Sequence, residues 1–304
     1  MKILMYHYVK KKPSEHFRNL KFLSEARFIA QLRKIISSKE RVYSLEDLLH
    51  EKAKDKKNPD SGWLLTFDDG LFDHYSTVAD ILEQFNLPAI FFISTGGLNG
   101  KFLRVHLLQH LIASFSSDNE FVDFMHLYFA RNNINVSRLP KDYAANRWDN
   151  NSLSAIKFLI QSVVSEEEAH YLLKDIFKQR NIEINKELHE KIYLKEAHIR
   201  ELSSRFNLGL HSHEHNRFST MNSRQIKQDL ILNINYLSSL GLNCKSQLSL
   251  ALPYGSQAKK SVVDLYDSLN ISHIFTTKPE SYTGKDRRSI PRYDCNDFNS
   301  VFKN

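Results

Sequence analysis

Two short stretches hold the residue types that can do chemistry. In the first, Leu64-Leu65-Thr66-Phe67 ends abruptly in Asp68-Asp69-Gly70. Two adjacent carboxylates repel each other, and a cation bound beside them relieves the repulsion. An ordinary strand-ending turn is the competing reading, because Asp and Gly are common turn formers. The second stretch, Gly209-Leu210-His211-Ser212-His213-Glu214-His215, holds three histidines and a glutamate within five residues. Neutral imidazole is the commonest metal ligand, and two histidines with one carboxylate make a familiar zinc set that leaves positions for water. His211 and His215 would also share one face of a helix. Gly209 and the polar Asn216-Arg217 favour instead a strand end that runs into a loop.

The elements that must position these residues follow from hydrophobic periodicity. Leu64 to Phe67 reads as a buried strand of a parallel sheet, with Asp-Asp-Gly as its C-terminal turn. Open α/β folds and barrels place their chemistry at that end of the strands. Residues 2–9 read as the first strand and put His7 near its C-terminal end. His7 is either a strand histidine satisfied by a carbonyl or a catalytic group facing the site. A helix is predicted over 24–37 from the spacing of Phe28, Leu32, Ile35 and Ile36, and a second starts at the N-cap candidate Ser44. The polar stretch 50–62 leads into the Asp-Asp strand. A helix over 74–85 and a strand over Leu87–Ile93 follow, a rhythm that fits parallel pairing through crossover helices. Ser94-Thr95-Gly96-Gly97 closes that strand, and its glycines offer a weak phosphate-cradle signal without P-loop spacing.

Residues 100–194 break the rhythm and read as helices throughout. His106 and His110 share a helix face there, but no third ligand is evident and no second metal site is expected. The rhythm resumes with a helix at 195–206 and the strand Phe206–Leu210. A long helix at 222–240 is capped by Gly241, and a strand at Gln247–Leu252 ends in Pro253-Tyr254-Gly255. A helix at about 257–269, a strand at Ile271–Thr276 and a last strand at Ser289–Arg292 complete the chain.

Thr66-Phe67-Asp68-Asp69-Gly70, followed by His211-Ser212-x-x-His215 and then by Leu252-Pro253-Tyr254-Gly255, resembles the ordered motifs of the polysaccharide deacetylases, carbohydrate esterase family 4 or the NodB-homology fold. The resemblance covers residues 1–99 and about 195–300. It implies a distorted TIM-like (β/α) barrel over 1–99 and 195–304, interrupted by a large helical insertion at 100–194. That insertion is either a lid, a partner-binding cap or a structural embellishment. The implied activity is a metal-dependent hydrolase of a carbon–nitrogen bond other than a peptide bond. It would remove an N-acetyl or other small N-acyl group from an amino sugar or glycan precursor. O-deacetylation or deformylation of a related sugar is the alternative within enzymes, and a non-catalytic carbohydrate-binding protein is the alternative outside them.

On this reading Asp69, His211 and His215 hold a divalent metal, with Zn²⁺ the expected ion. Asp68 is the general base, and the backbone N–H of Tyr254 helps hold the oxyanion by the resemblance. His213 is expected to be a loop residue. Two positions depart from the family pattern. Ala251 stands where an arginine often orients the base, and Ile290-x-Arg292 stands where a histidine general acid is often found. Arginine stays protonated and cannot serve as that acid. Arg292 is therefore expected to pair with Asp68 in place of the missing arginine. The acid would then be His7, with His273 as second choice, and Asp294 is a candidate partner for His7.

The whole chain sets wider bounds. Its 304 residues suffice for one large barrel or two modest domains, and 41% hydrophobic with 25% charged residues is a globular composition. The formal charge of +7 favours anionic partners such as a nucleotide- or lipid-linked sugar, but it is spread along the chain. The densest basic run, Lys52 to Lys57, includes acids and reads as a solvated linker. No nucleic-acid motif is present. No apolar run approaches the roughly 20 residues of a transmembrane helix, and no signal region is apparent. Cys244 and Cys295 do not make a disulfide framework. The expected location is the cytoplasm.

Overall fold

The computed structural model describes residues 1–50, 61–134, 147–242, 247–256 and 262–303. Cys244, the run Lys52–Lys57 and the first part of the helix expected at 257–269 lie outside the described residues. In chain order the strands are β1 (Lys2–Tyr6), β2 (Val9–Lys10), β3 (Leu23–Ser24), β4 (Arg41–Val42) and β5 (Gly62–Phe67). They continue as β6 (Ile90–Ile93), β7 (Asn207–Leu210), β8 (Leu248–Ala251), β9 (Ile271–Phe275) and β10 (Tyr293–Asp294). The α-helices are α1 (Glu25–Ser37), α2 (Leu45–His50), α3 (Asp80–Gln84), α4 (Arg104–Ala113), α5 (Asp118–Arg131) and α6 (Asn151–Phe158). After these come α7 (Glu166–Gln179), α8 (Lys186–Ile192), α9 (Glu196–Arg205), α10 (Ser223–Ser238), α11 (Val263–Ser268) and α12 (Phe298–Lys303).

The chain forms two compact units. One comprises residues 1–11, 22–101 and 189–304, and the other comprises 12–21 and 102–188. Residues 189–194 belong with the sheet unit for a local reason. Tyr193 forms an antiparallel bridge with Leu71, and the Leu194 N–H donates to the Gly70 carbonyl at 3.2 Å.

The sheet unit holds an eight-stranded parallel sheet in the order β10-β1-β5-β6-β7-β8-β9, with β4 also paired to β5. A parallel bridge joins Phe275 of β9 to Ile290, and a few residues later β10 pairs with β1. The segment Ile290–Asp294 thus bonds to both sides of the sheet and curls it into a barrel-like form. Only Ile290 of the expected last strand at 289–292 pairs, and the regular strand comes one step later at Tyr293–Asp294.

Alternation along each strand separates two apolar layers. Leu4, Tyr6, Leu65, Phe67, Phe91, Ile93, Leu250 and Ile274 pack with helix residues such as Phe28, Leu32, Val78, Leu82, Ile199 and Leu230. Ile3, Leu64, Ile90, Phe92, Ala251, Phe275 and Ile290 form a second cluster on the opposite, inner side. The helices start on legible caps: Ser24 accepts from the Arg27 N–H, and Asn222 with Gln225 forms a capping box at α10. The predicted helix over 74–85 is a π-helix at His74–Ala79 that passes into α3.

The helical unit builds its own core from Leu107, Leu108, Leu111, Phe121, Met125, Phe129, Leu173, Ile176 and Phe177, all buried. Arg180 stacks on Phe115 at 3.7 Å and donates to the Ser114 carbonyl. Residues 12–21 join this unit through Asn19, which bonds to the Ala113 and Phe115 carbonyls, and through Phe17, which packs edge-on against His110. His110 Nδ1 lies 2.8 Å from the His106 carbonyl, a local helix bond. Among the described residues no helix is long and apolar enough to cross a membrane.

Candidate active site

Strand β5 delivers the acidic pair. Leu64 and Thr66 face the inner side, and Asp68 continues that alternation one residue past the strand end. The Asp68 N–H still bonds to the Tyr6 carbonyl at 2.9 Å, so its backbone remains in register with β1. Asp69 then turns the chain with φ 85°, and Gly70 follows with φ 74°. An aspartate in that region is uncommon and marks a functional or strained position. The turn sends the two neighbouring carboxylates to different partners.

Strand β7 delivers the histidines. Leu210 packs outward, so His211 points inward. Its Nδ1 lies 2.8 Å from the Ala251 carbonyl, which can only accept, so this nitrogen carries the proton. The other ring nitrogen is thereby left as a lone-pair donor, an arrangement typical of metal-binding histidine. Ser212 has φ 69° and His215 φ 54°, a tight loop that returns His215 towards His211. The two rings sit edge to face at 4.9 Å. Nε2 of His211 and Nε2 of His215 lie 3.2 and 3.1 Å from the same oxygen, Asp69 Oδ1. One donor atom from each of the three residues lies within 4.8 Å of the others, and all three residues are buried.

This donor set fits a divalent cation. Two imidazole nitrogens and one carboxylate suit zinc and related ions. The electrostatics favour positive charge as well. Burial alone would lower the His211 pKa, but Asp68, Asp69 and the Ala251 carbonyl outweigh it and hold the ring above its ordinary value.

Arg292 is fully buried and grips Asp68 with both ends of its fork. Nη1 reaches Oδ1 and Nη2 reaches Oδ2, each at 2.7 Å. Nη1 also donates to Thr66 Oγ1 at 3.0 Å and Nε to the Thr276 carbonyl at 3.1 Å. The guanidinium lies over the adjoining Phe92 and Phe275 rings at 5.6 and 5.9 Å. Burial pushes the Asp68 pKa up, but the charge of Arg292, assisted by His211 and His7, overrides it and holds the carboxyl below its ordinary value. Ala251, in the slot where the family often has arginine, instead supplies the carbonyl that orients His211.

The remaining candidates are placed as follows. His7 follows β1, is half-buried, and adds to the field that lowers Asp68. Among the described residues its imidazole takes no hydrogen-bond partner. Asp294 is not a partner for it, since Asp294 accepts from the N–H of Asn296 as a helix cap. His273 is buried within β9 with Nδ1 2.8 Å from the Ser272 hydroxyl. Tyr254 has φ 59°, and its ring lies edge to face on His215 at 4.9 Å. His213 is not among the three clustered residues: its Nδ1 contacts Thr95 Oγ1 at 2.8 Å.

Several contributors are not evident from sequence. Arg217 lies over the Tyr254 ring at 4.4 Å, so the ring contacts both a cation and His215. His74, from the π-helix, lies 3.1 Å from the His7 carbonyl through Nε2. Asp229 and Asn233 of α10 bond to the backbone of the histidine loop. The Ser94-Thr95-Gly96-Gly97 loop also serves this scaffold: Ser94 Oγ donates to the His211 carbonyl and the Gly96 N–H to the His213 carbonyl. Glycine is required at 97 because a Cβ there would meet the Tyr193 ring at 2.4 Å. A helical phase or an Asp in mid-helix carries these signals only once the partner loop is known.

Comparison with known proteins gives one family match and several structures of similar fold. Residues 55–114 match the polysaccharide deacetylase family model. No curated protein matches the chain significantly. Among solved structures, IcaB from Ammonifex degensii is similar at 15% identity and a TM-score of 0.61, over 99% of this chain and 95% of that one. The deacetylase PplD of Streptococcus pyogenes, solved in complex with acetate, is similar at 14% identity and a TM-score of 0.58, over 97% and 91%. A de-N-acetylase from Aggregatibacter actinomycetemcomitans gives 14% identity and a TM-score of 0.57, over 96% and 93%. The matched segment contains the acidic turn, and the fold is shared along nearly the whole chain. The chain thus resembles the polysaccharide deacetylases in the family model matched over residues 55–114 and in a fold shared with deacetylase structures.

Proposed function

We propose that this protein is a metal-dependent deacetylase that hydrolyses the N-acetyl, or another small N-acyl, group of an amino sugar. The observation that carries the reading is the meeting of Asp69, His211 and His215 around one point, with a second carboxylate, Asp68, beside it. A divalent ion held by those three residues would polarise the acyl carbonyl and make its water more acidic. Asp68 is the proton acceptor for the attacking water. Its bidentate bond to Arg292 keeps it ionised, which a buried carboxylate would otherwise resist. The attack forms a carbon–oxygen bond, and the carbon–nitrogen bond then breaks as the amine nitrogen takes a proton.

His7 is our assignment for the donor of that proton, supported by its place beside Asp68 and its ring without a hydrogen-bond partner among the described residues. The positive φ of Tyr254 and its packing on His215 support a role for its backbone N–H in holding the developing oxyanion. Two cysteines far apart in sequence suggest a reducing compartment, which favours an intracellular glycan precursor as substrate. A nucleotide- or lipid-linked sugar would suit the formal charge of +7.

Acetate release from a panel of N- and O-acetylated amino sugars, with and without chelator, tests the reading. Chelator-sensitive release from an N-acetylated sugar is expected. Release only from O-acetylated sugars would move the assignment to an esterase. Binding of sugars without any release would make the protein a carbohydrate-binding member of the fold.

A further inference from the structure

Three backbone amides of the histidine loop converge on one face of α10. Asn233 Oδ1 accepts from the His211 N–H at 3.1 Å. One turn earlier on the same helix face, Asp229 Oδ1 accepts from the His213 N–H at 2.9 Å, and Asp229 Oδ2 from the Glu214 N–H at 3.0 Å. Asn233 uses its amide nitrogen on the other side, donating to the Ile93 carbonyl and to Thr95 Oγ1 at 3.0 Å each. Thr95 in turn contacts the His213 ring. Both α10 residues are buried, Asn233 fully, although helix interiors disfavour these residue types.

The loop so held is the one that needs holding. Ser212 and His215 both lie at positive φ, a region that side-chain-bearing residues avoid. Such a conformation persists only where the surroundings over-determine it. An aspartate with two oxygens meets two consecutive amides here, and an asparagine with both an acceptor and a donor meets an N–H on one side and a carbonyl on the other. Neither geometry is reproduced by the other residue type.

We propose that Asp229 and Asn233 are positioning residues of the cation site: they fix the strained backbone that turns His211 and His215 onto Asp69. This inference rests on the metal reading above. It differs from a role in general stability, because the bonds go to the ligand loop and leave the apolar face of α10 untouched.

The test compares wild type, Asp229→Asn, Asn233→Ala and Asn222→Ala. Asn222 is the N-cap of the same helix and makes no bond to the loop. The Zn²⁺ dissociation constant is measured by competition with a chromogenic chelator. Amide hydrogen exchange across 211–215 and the melting temperature are measured on the metal-free proteins. We expect Zn²⁺ affinity to fall by about 10- to 100-fold in Asp229→Asn and Asn233→Ala, the usual cost of losing a group that orients a ligand. Exchange across 211–215 should accelerate in both. Asn222→Ala should lower the melting temperature with affinity and loop exchange unchanged.

Wild-type affinity in both loop-contacting variants, with zinc bound by wild type, would overturn this inference and leave the metal reading intact. Loss of affinity in all three variants in proportion to melting temperature would also overturn it. No zinc binding by wild type would overturn the metal reading and this inference together. If Asp229→Asn does not fold, Asn233→Ala decides by the same criteria.

Discussion

At the scale of single residues, the division of labour between two adjacent aspartates is set by their neighbours. Asp68 is gripped by a guanidinium, whereas Asp69 faces two imidazole nitrogens. Removing Arg292 leaves a buried carboxylate without its counter-charge. We expect Arg292→Ala to cost about 3–5 kcal/mol in unfolding free energy. It should also lower kcat, and move the acidic limb of the rate profile to higher pH, because the group holding Asp68 ionised is gone. Arg292→Lys should not restore activity, since an ammonium cannot form the two parallel bonds. Retention of activity and of the acidic limb in Arg292→Ala would remove the arginine from the account.

His74 gives a separate pH prediction. It is completely buried, with Phe67 and Phe91 rings against it. Burial lowers its pKa from 6.5 to about 4, against the opposing pull of the His7 carbonyl, Asp69 and Asp68 and with the aid of the His7 charge. The unfolded chain therefore binds the proton first. Stability from this group is full above pH 6.5 and is lost as the pH falls towards 4, by on the order of 3 kcal/mol. Asp73, raised by burial despite its bond to Lys10, acts with the opposite sign. Denaturation of wild type and His74→Phe at several pH values isolates the histidine, and the variant should show the shallower loss below pH 6.5.

At the scale of elements, the site is made by strand ends and held by loops. The strands and most helices were legible because both carry strong periodicity: β5 and β6 are continuous apolar runs, and α1 repeats its apolar face every turn. The cluster of Asp69, His211 and His215 was legible because Asp69 and His211 follow closely on such runs and His215 lies in the loop after the second. What was not legible depends on partners distant in sequence. The π-helix at His74–Ala79 has no periodic signature over six residues. Asp229 and Asn233 look like solvent-facing helix residues until the histidine loop is placed over them. The pairing of Phe275 with Ile290 is a single bridge, too short to announce a strand.

The close approach of β7 to β6 gives a further prediction at this scale. A Cβ on Gly209 would meet the Phe92 ring at 2.4 Å and the Ser249 carbonyl at 3.3 Å. Gly209→Ala should therefore destabilise the protein by about 1–3 kcal/mol. It should also weaken zinc binding, because His211 lies two residues further on. A chemical denaturation curve identical to wild type would show that β7 has more room than the packing indicates.

At the scale of the whole molecule, a parallel sheet unit carries every residue of the candidate site, and a helical unit interrupts it in sequence. The order of the acidic turn, the histidine loop and the Pro-Tyr-Gly turn already implied a barrel with an insertion. The return of residues 12–21 to the helical unit was not implied, since Asn19 bonds to carbonyls at and just after the end of α4 and Phe17 packs edge-on against His110. Binding of an ion to the folded sheet unit alone should raise its stability by mass action, by about 2.7 kcal/mol at a hundredfold excess over the dissociation constant.

The metal content of the purified protein, after zinc loading and exhaustive dialysis, tests the central claim most directly when set beside Asp69→Ala and His211→Ala. One zinc per chain in the wild type, lost in both variants, is the result we expect. A wild type that retains no zinc, or variants that retain as much as the wild type, would contradict the convergence of Asp69, His211 and His215 on a single ion.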